Sequence, residues 1–153
     1  MIIRKAEKKD LPFFIMLEET CFGSPWSEKT LQDLFSSSYD QIWTAEEDGQ
    51  IVGYANLRIL CGEGEIERVA VAPDRRCRGI GALLMQSMIG AAEADGAEAI
   101  SLEVRAGNQP AIRLYQKYGF RSEGIRRNYY QNPVEDAMIM WRRTGENEPE
   151  TEK

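Results

Sequence analysis

The run Arg76-Cys77-Arg78-Gly79-Ile80-Gly81 lies between a short apolar stretch, Val69-Ala70-Val71, and an apolar-periodic segment through Leu83, Leu84 and Met88. That order predicts a strand, a glycine turn and a helix, which together make a phosphate cradle. The first amides of a helix have no intrahelical acceptor, and the macrodipole adds roughly half a positive charge beside them. Arg75, Arg76 and Arg78 supply cations for a pyrophosphate flank or a third phosphate, a combination suited to coenzyme A. Two other phosphate loops are excluded: the Lys-Ser/Thr ending of the ATP loop is absent, and a dinucleotide fingerprint needs glycine where Leu84 stands. On the motif alone, a plain surface turn ahead of a core helix reads the same way.

The chain has no histidine, which removes the commonest general base and any Ser-His or Cys-His relay. Proton transfer then falls to carboxylate, tyrosine or water. In Ser101-Leu102-Glu103-Val104-Arg105 the two aliphatics face one way and Glu103 the other. A carboxylate in a central strand lines a cleft, where partial burial raises its pKa, or else belongs to a solvated strand face. Tyr115 follows Asn108 by seven residues, almost two helical turns, which places it on the same side and about 10.5 Å further along the axis. Its alternative is ordinary packing in an amphipathic helix, with Ala111, Leu114 and Tyr118 as the core-facing stripe. Cys21, Cys61 and Cys77 are odd in number and lack metal or redox spacing, so no metal is expected.

These groups need a scaffold. Ile2 to Lys5 reads as a strand, and Asp10-Leu11-Pro12 as the cap and first turn of a helix reaching about Phe22. Ser27 caps a second helix carrying Leu31, Leu34 and Phe35. Gln41 to Glu47 and Ile51 to Leu60 form a hairpin about Asp48-Gly49. After Gly62 and Gly64 come the strand Ile66 to Val71, the glycine turn and a helix to about Ala94. A strand over Ala99 to Val104, a helix from Asn108 and Pro110 to Gly119, and strands over Phe120 to Ile125 and Ala137 to Arg142 complete an α/β fold with helices on both faces. The 153 residues suffice for one core, a single domain over 1–143, followed by an acidic tail, 144–153, expected to be disordered. The formal net charge of -6 lies half in that tail, which makes nucleic acid an unfavourable partner. There is no apolar signal stretch and no membrane-length apolar run, so a cytoplasmic location with no membrane contact is expected.

The loop and the order of elements resemble the GNAT superfamily of N-acetyltransferases, whose acetyl-CoA loop reads Gln or Arg, two residues, Gly, one residue, then Gly or Ala. The chain is also similar to the RimI-type subgroup of ribosomal-protein alanine N-acetyltransferases. Pro25-Trp26-Ser27-Glu28-Lys29-Thr30, Leu102-Glu103-Val104-Arg105-Ala106, Asn108, Leu114-Tyr115, Gly119-Phe120 and Ile125-Arg126-Arg127-Asn128-Tyr129-Tyr130 carry that similarity. It implies a mixed, mostly antiparallel sheet of six to seven strands flanked by about four helices, and acetyl-CoA as co-substrate. It also implies that Val69, Ala70 and Val71 offer backbone groups to the acetyl and pantetheine portion. Arg76 opens the loop, Cys77, Arg78, Gly79, Ile80, Gly81 and Ala82 hold the pyrophosphate, and Asn108 contacts the coenzyme arm. Glu103 would be the proton acceptor and Tyr115 the donor. Cys77 stands where a long polar residue is more usual.

The implied activity is direct transfer of acetyl to the N-terminal alanine of a protein with a basic N-terminus, small-subunit ribosomal protein eighteen, by a monomer or weak dimer. Glu63, Glu65, Glu67, Glu135 and Asp136 are candidates to receive such a peptide or are solvated charges; Tyr129 and Tyr130 could position it. Phe22 and Trp26 wall the cleft or fasten the first two helices to the core. Two other readings remain open: acetylation of a small amine, an antibiotic or a lysine side chain, and a non-catalytic subunit that binds acetyl-CoA.

Overall fold

The computed structural model describes residues 1–144. Its strands are β1 (Ile2–Lys5), β2 (Asp40–Glu47), β3 (Gln50–Leu60), β4 (Glu63–Val71), β5 (Ala99–Arg105), β6 (Arg121–Tyr130) and β7 (Glu135–Arg143). They form one seven-stranded sheet in the order β1-β2-β3-β4-β5-β7-β6, in which β4 and β5 run parallel and every other pair antiparallel. Four helices, α1 (Leu11–Cys21), α2 (Glu28–Ser36), α3 (Ile80–Ala94) and α4 (Gln109–Lys117), cover the faces. This is the mixed α/β architecture that the residue pattern predicts.

Two apolar clusters flank the sheet. Leu84, Met85 and Met88 of α3 pack against Leu57, Ile100 and Met140, while Phe14 and Leu17 of α1 and Leu31 of α2 pack against Tyr54 and Ala70 on the opposite face. Phe14 stacks on Tyr54 with centroids 4.6 Å apart. Ser27 caps α2 as its sequence predicts, its hydroxyl accepting from the Thr30 amide at 3.1 Å.

Asp10 is the N-cap residue of α1, as expected, but its side chain makes no capping bond: the Arg4 guanidinium holds both of its carboxylate oxygens at 2.9 and 3.1 Å, and the Glu7 amide donates to it at 2.8 Å. Three local expectations are corrected. The fourth strand begins at Glu63 rather than Ile66, because Cys61 and Gly62 both take positive φ and close a tight hairpin from β3. The sixth strand runs on through Tyr130; it is the exposed sheet edge, so it carries no alternation to read. On α4 the deeply buried side chains are Ile112 and Tyr115, with Ala111, Leu114 and Tyr118 only half-buried. Residues 145–153, most of the expected tail, lie outside the described part. Thr144 still donates its amide to the Glu98 carbonyl at 2.9 Å. No helix among the described residues is long and apolar enough to cross a membrane.

Candidate active site

The sheet forks at its centre. Strands β4 and β5 pair only from Glu63↔Ala99 to Ile66↔Leu102, although β4 continues to Val71 and β5 to Arg105. The cause is a bulge: Asn56 faces Arg68 and Leu57 faces Ile66, leaving Glu67 as the extra residue on β4. A bulge bends and over-twists its strand, which carries the rest of β4 away from β5. The bulge also changes the face: Ile66 joins the α3 core, whereas Ala70 joins the α1 core.

A cleft of about 590 Å³ fills the fork, and Glu67, Val69, Glu103, Asn108, Tyr115 and Tyr130 are among its lining residues. Above it the α1–α2 connection, with Phe22 and Trp26, meets the β6–β7 turn. The two loops touch closely, since a Cβ on Gly23 would lie 2.1 Å from the Asn132 carbonyl oxygen. Arg105 at the end of β5 holds that turn: it donates to the carbonyls of Pro133 and Gln131, each at 2.9 Å, pairs with Glu135 at 3.2 Å and stacks over Tyr130.

The sequence reading missed one network. Glu18 of α1, fully buried, accepts two hydrogen bonds from Arg68, at 3.1 and 3.2 Å, one from the Trp26 amide at 2.7 Å and one from the Tyr54 hydroxyl. The Arg68 guanidinium lies between the rings of Phe22 and Trp26, 4.0 and 4.3 Å from their centroids. Phe22 and Trp26 therefore wall the cleft and fasten the helices at once. A signal existed: Phe14, Leu17, Glu18 and Cys21 share one helical face, and Arg68 lies between the buried Ile66 and Ala70 in β4, so an acid and a base both occupy core positions.

The residues expected to hold the coenzyme gather at one end of the fork. The Ala72 amide donates to Val52 of β3, so ladder alternation turns Ala70 toward β3 and the backbone groups of Val69 and Val71 toward the gap. The Val71 carbonyl is taken up by Arg76 Nε at 3.1 Å and Cys21 Sγ at 3.4 Å. Beyond it Cys77 and Gly79 adopt φ of 64° and 83°, and Gly79 N-caps α3. The first helical bond runs from the Leu83 amide to the Gly79 carbonyl, which leaves the amides of Ile80, Gly81 and Ala82 facing outward. That set of donors fits a pyrophosphate. Arg75 is not available to it, being paired with Glu47 at 2.6 Å, whereas Arg78 has no ion pair or hydrogen bond among the described residues. Asn108 both lines the cleft and caps α4, its Oδ1 accepting from the Ala111 amide at 3.3 Å.

At the other end lie the groups that can move protons. Glu103 forms an ion pair with Arg126 of β6 and hydrogen-bonds Tyr129. Tyr115 packs at a tilt against Phe120, and burial pushes its hydroxyl up to about 12, so it stays protonated throughout the neutral range. Of the acids expected to receive a peptide, Glu135 is committed to Arg105 and the Gly107 amide, Asp136 to the Asn128 amide, and Glu63 lies exposed at the hairpin. Glu65 and Glu67 remain, lining a side cavity of about 140 Å³ that Glu103 shares. Burial, reinforced by Glu65 and Asp40, pushes the Glu67 carboxyl up to about 7.

A forked sheet with a helix N-terminus at one end and a tyrosine hydroxyl and a carboxylate at the other matches a known family. The acetyltransferase (GNAT) family model covers residues 11–120, and the chain belongs to that family. GNAT enzymes transfer acetyl from acetyl-CoA. Among relatives, the [ribosomal protein bS18]-alanine N-acetyltransferase of Escherichia coli (strain K12) is 35% identical over 140 residues, covering 90% of this chain and 94% of that protein. An N-alpha-acetyltransferase of Sulfurisphaera tokodaii is 40% identical over 111 residues, 64% of this chain and 66% of that one. The crystal structure of the Escherichia coli ribosomal-protein alanine N-acetyltransferase superposes with a TM-score of 0.86 at 32% identity, covering 99% of this chain and 97% of that chain.

Proposed function

We propose that this protein acetylates the N-terminal alanine of a small-subunit ribosomal protein by direct transfer from acetyl-CoA, with Glu103 as proton acceptor and Tyr115 as proton donor. The observation that carries the reading is the convergence of Glu103 from β5 and Tyr115 from α4 on one cleft that opens toward the anion-binding turn. The acetyl donor supplies the thioester. Amides at the start of α3 and the open edge of β4 hold and align its carrier, and the two loops shape the entrance for the acceptor.

The acceptor chemistry favours an α-amine. With reference values near 8 and 10.4, about a tenth of an α-amine but only about one lysine in 2,500 is neutral at pH 7. Attack on the carbonyl carbon makes the nitrogen acidic, and Glu103 takes the proton. As the C–S bond breaks, Tyr115 donates toward the sulfur. Full transfer from a hydroxyl at about 12 to a thiolate near 8.5 runs uphill by about 3.5 units, about 5 kcal/mol. Tyr115 therefore acts chiefly as a hydrogen-bond donor that stabilises developing negative charge. Replacing Glu103 by Gln should lower kcat by roughly 100-fold with acetyl-CoA affinity retained; kcat within threefold of wild type would remove Glu103 from this role.

A further inference from the structure

Two carboxyls, not one, reach the acceptor end of the fork. Glu67 stands on the bulge where β4 leaves β5, and it shares both the main cleft and the side cavity with Glu103. Their surroundings differ. Glu103 is held by Arg126 and Tyr129 of β6. Glu67 hydrogen-bonds Asp40 at the start of β2, whose side chain is 2% exposed. Asp40 accepts from the Asn56 amide at 3.3 Å and, among the described residues, has Arg58, 3.6 Å away, as its counter-charge. Glu65 of the same strand adds further negative charge beside Glu67. Burial and the negative charge of Glu65 and Asp40 beside it push the Glu67 carboxyl up to about 7, so near neutrality it can exchange a proton.

The stoichiometry of the reaction gives such a group a task. An α-ammonium loses one proton to become a nucleophile and a second after its nitrogen bonds the acetyl carbon, while the departing sulfur regains only one. We propose, resting on the acetyltransferase reading above, that Glu67 backed by Asp40 accepts the first of these protons, leaving Glu103 for the second. The N–H bond of the ammonium breaks toward the Glu67 carboxylate, giving a neutral amine and a Glu67 carboxylic acid. The nitrogen then bonds the acetyl carbon and yields its second proton to Glu103. The C–S bond breaks with protonation of sulfur by Tyr115, which is restored by the proton on Glu103. Glu67 returns its proton to solvent, matching the single proton the overall reaction releases.

The test is kcat/KM against pH for wild type, Glu67→Gln and Asp40→Asn on a peptide with a free N-terminal alanine, with acetyl-CoA binding measured by calorimetry as the folding control. Wild type should show an acidic limb near pH 7. Glu67→Gln should lose about 10- to 100-fold at pH 7 and approach wild type at pH 9, where about nine tenths of the amine arrives neutral. Asp40→Asn should move the limb to lower pH. A Glu67→Gln profile parallel to wild type, whether level with it or uniformly lower, overturns the proposal; should that variant fail to bind acetyl-CoA, an unmoved limb in Asp40→Asn overturns it instead. Absence of wild-type turnover would count against the acetyltransferase reading itself.

Discussion

Replacing Glu18 by Gln tests whether the buried Glu18–Arg68 pair organises the acceptor side of the cleft. The glutamate is fully buried and accepts four hydrogen bonds, from Arg68 twice, from the Trp26 amide and from the Tyr54 hydroxyl. Glutamine keeps one acceptor oxygen and presents an NH2 group where donors already point. Removing one partner of a buried pair costs about 3–5 kcal/mol, because the other charge is left uncompensated. Arg68 retains 15% side-chain exposure and its two flanking rings, so the lower end, about 3 kcal/mol, is expected. For a domain of this size that is a fall in Tm of about 6–12 °C. Differential scanning calorimetry reads it directly. The double variant Glu18→Leu with Arg68→Met, which removes both charges, should recover most of the loss. A single-variant shift under about 2 °C, or a double variant no better than the single, would refute the reasoning.

Three further expectations follow from the same geometry. Gly23→Ala places a Cβ against backbone, 2.1 Å from the Asn132 oxygen, and should raise peptide KM severalfold and cost about 1–3 kcal/mol, while acetyl-CoA affinity measured by calorimetry stays unchanged. Tyr115→Phe should lower kcat by roughly 100-fold in steady-state assays yet leave Tm within about 2 °C, because that hydroxyl has no hydrogen-bond partner among the described residues. Glu67 is raised in the fold from 4.5 to about 7, so the folded state binds its proton more tightly than the unfolded chain does. Its stabilising contribution is therefore full below about pH 4.5 and is lost as pH rises through about 7. Urea unfolding should show wild type losing stability relative to Glu67→Gln between pH 5 and pH 8; a constant difference would show that Glu67 titrates normally.

Much of this was legible in the sequence, for identifiable reasons. The glycine turn at Gly79, the Ser27 cap and the Asp48-Gly49 hairpin depend on local chemistry, which a sequence carries on its face. Strands β2, β3 and β5 alternate or run apolar because they are buried, whereas β6 gave little signal because an edge strand has no buried face. Glu103 was readable as an acid inside an apolar strand. Glu67 was readable only as one of five acids that could receive a peptide, because its environment depends on a bulge set by pairing with β3 and on Asp40, which lies 27 positions earlier in the chain. The same non-local dependence explains Arg105 and Arg75: a strand pattern shows their charge, but only the folded chain shows that the β6–β7 turn and Glu47 already occupy them.

The central claim is that the cleft delivers an α-amine to acetyl-CoA. The most direct measurement is mass spectrometry of a peptide beginning Ala-Arg, incubated with the protein and acetyl-CoA beside the same peptide with a blocked N-terminus and an internal lysine. The account predicts one acetyl group on the free N-terminus and none on the lysine. Acetylation of the blocked peptide, or no acetylation of either while acetyl-CoA binds, would contradict it.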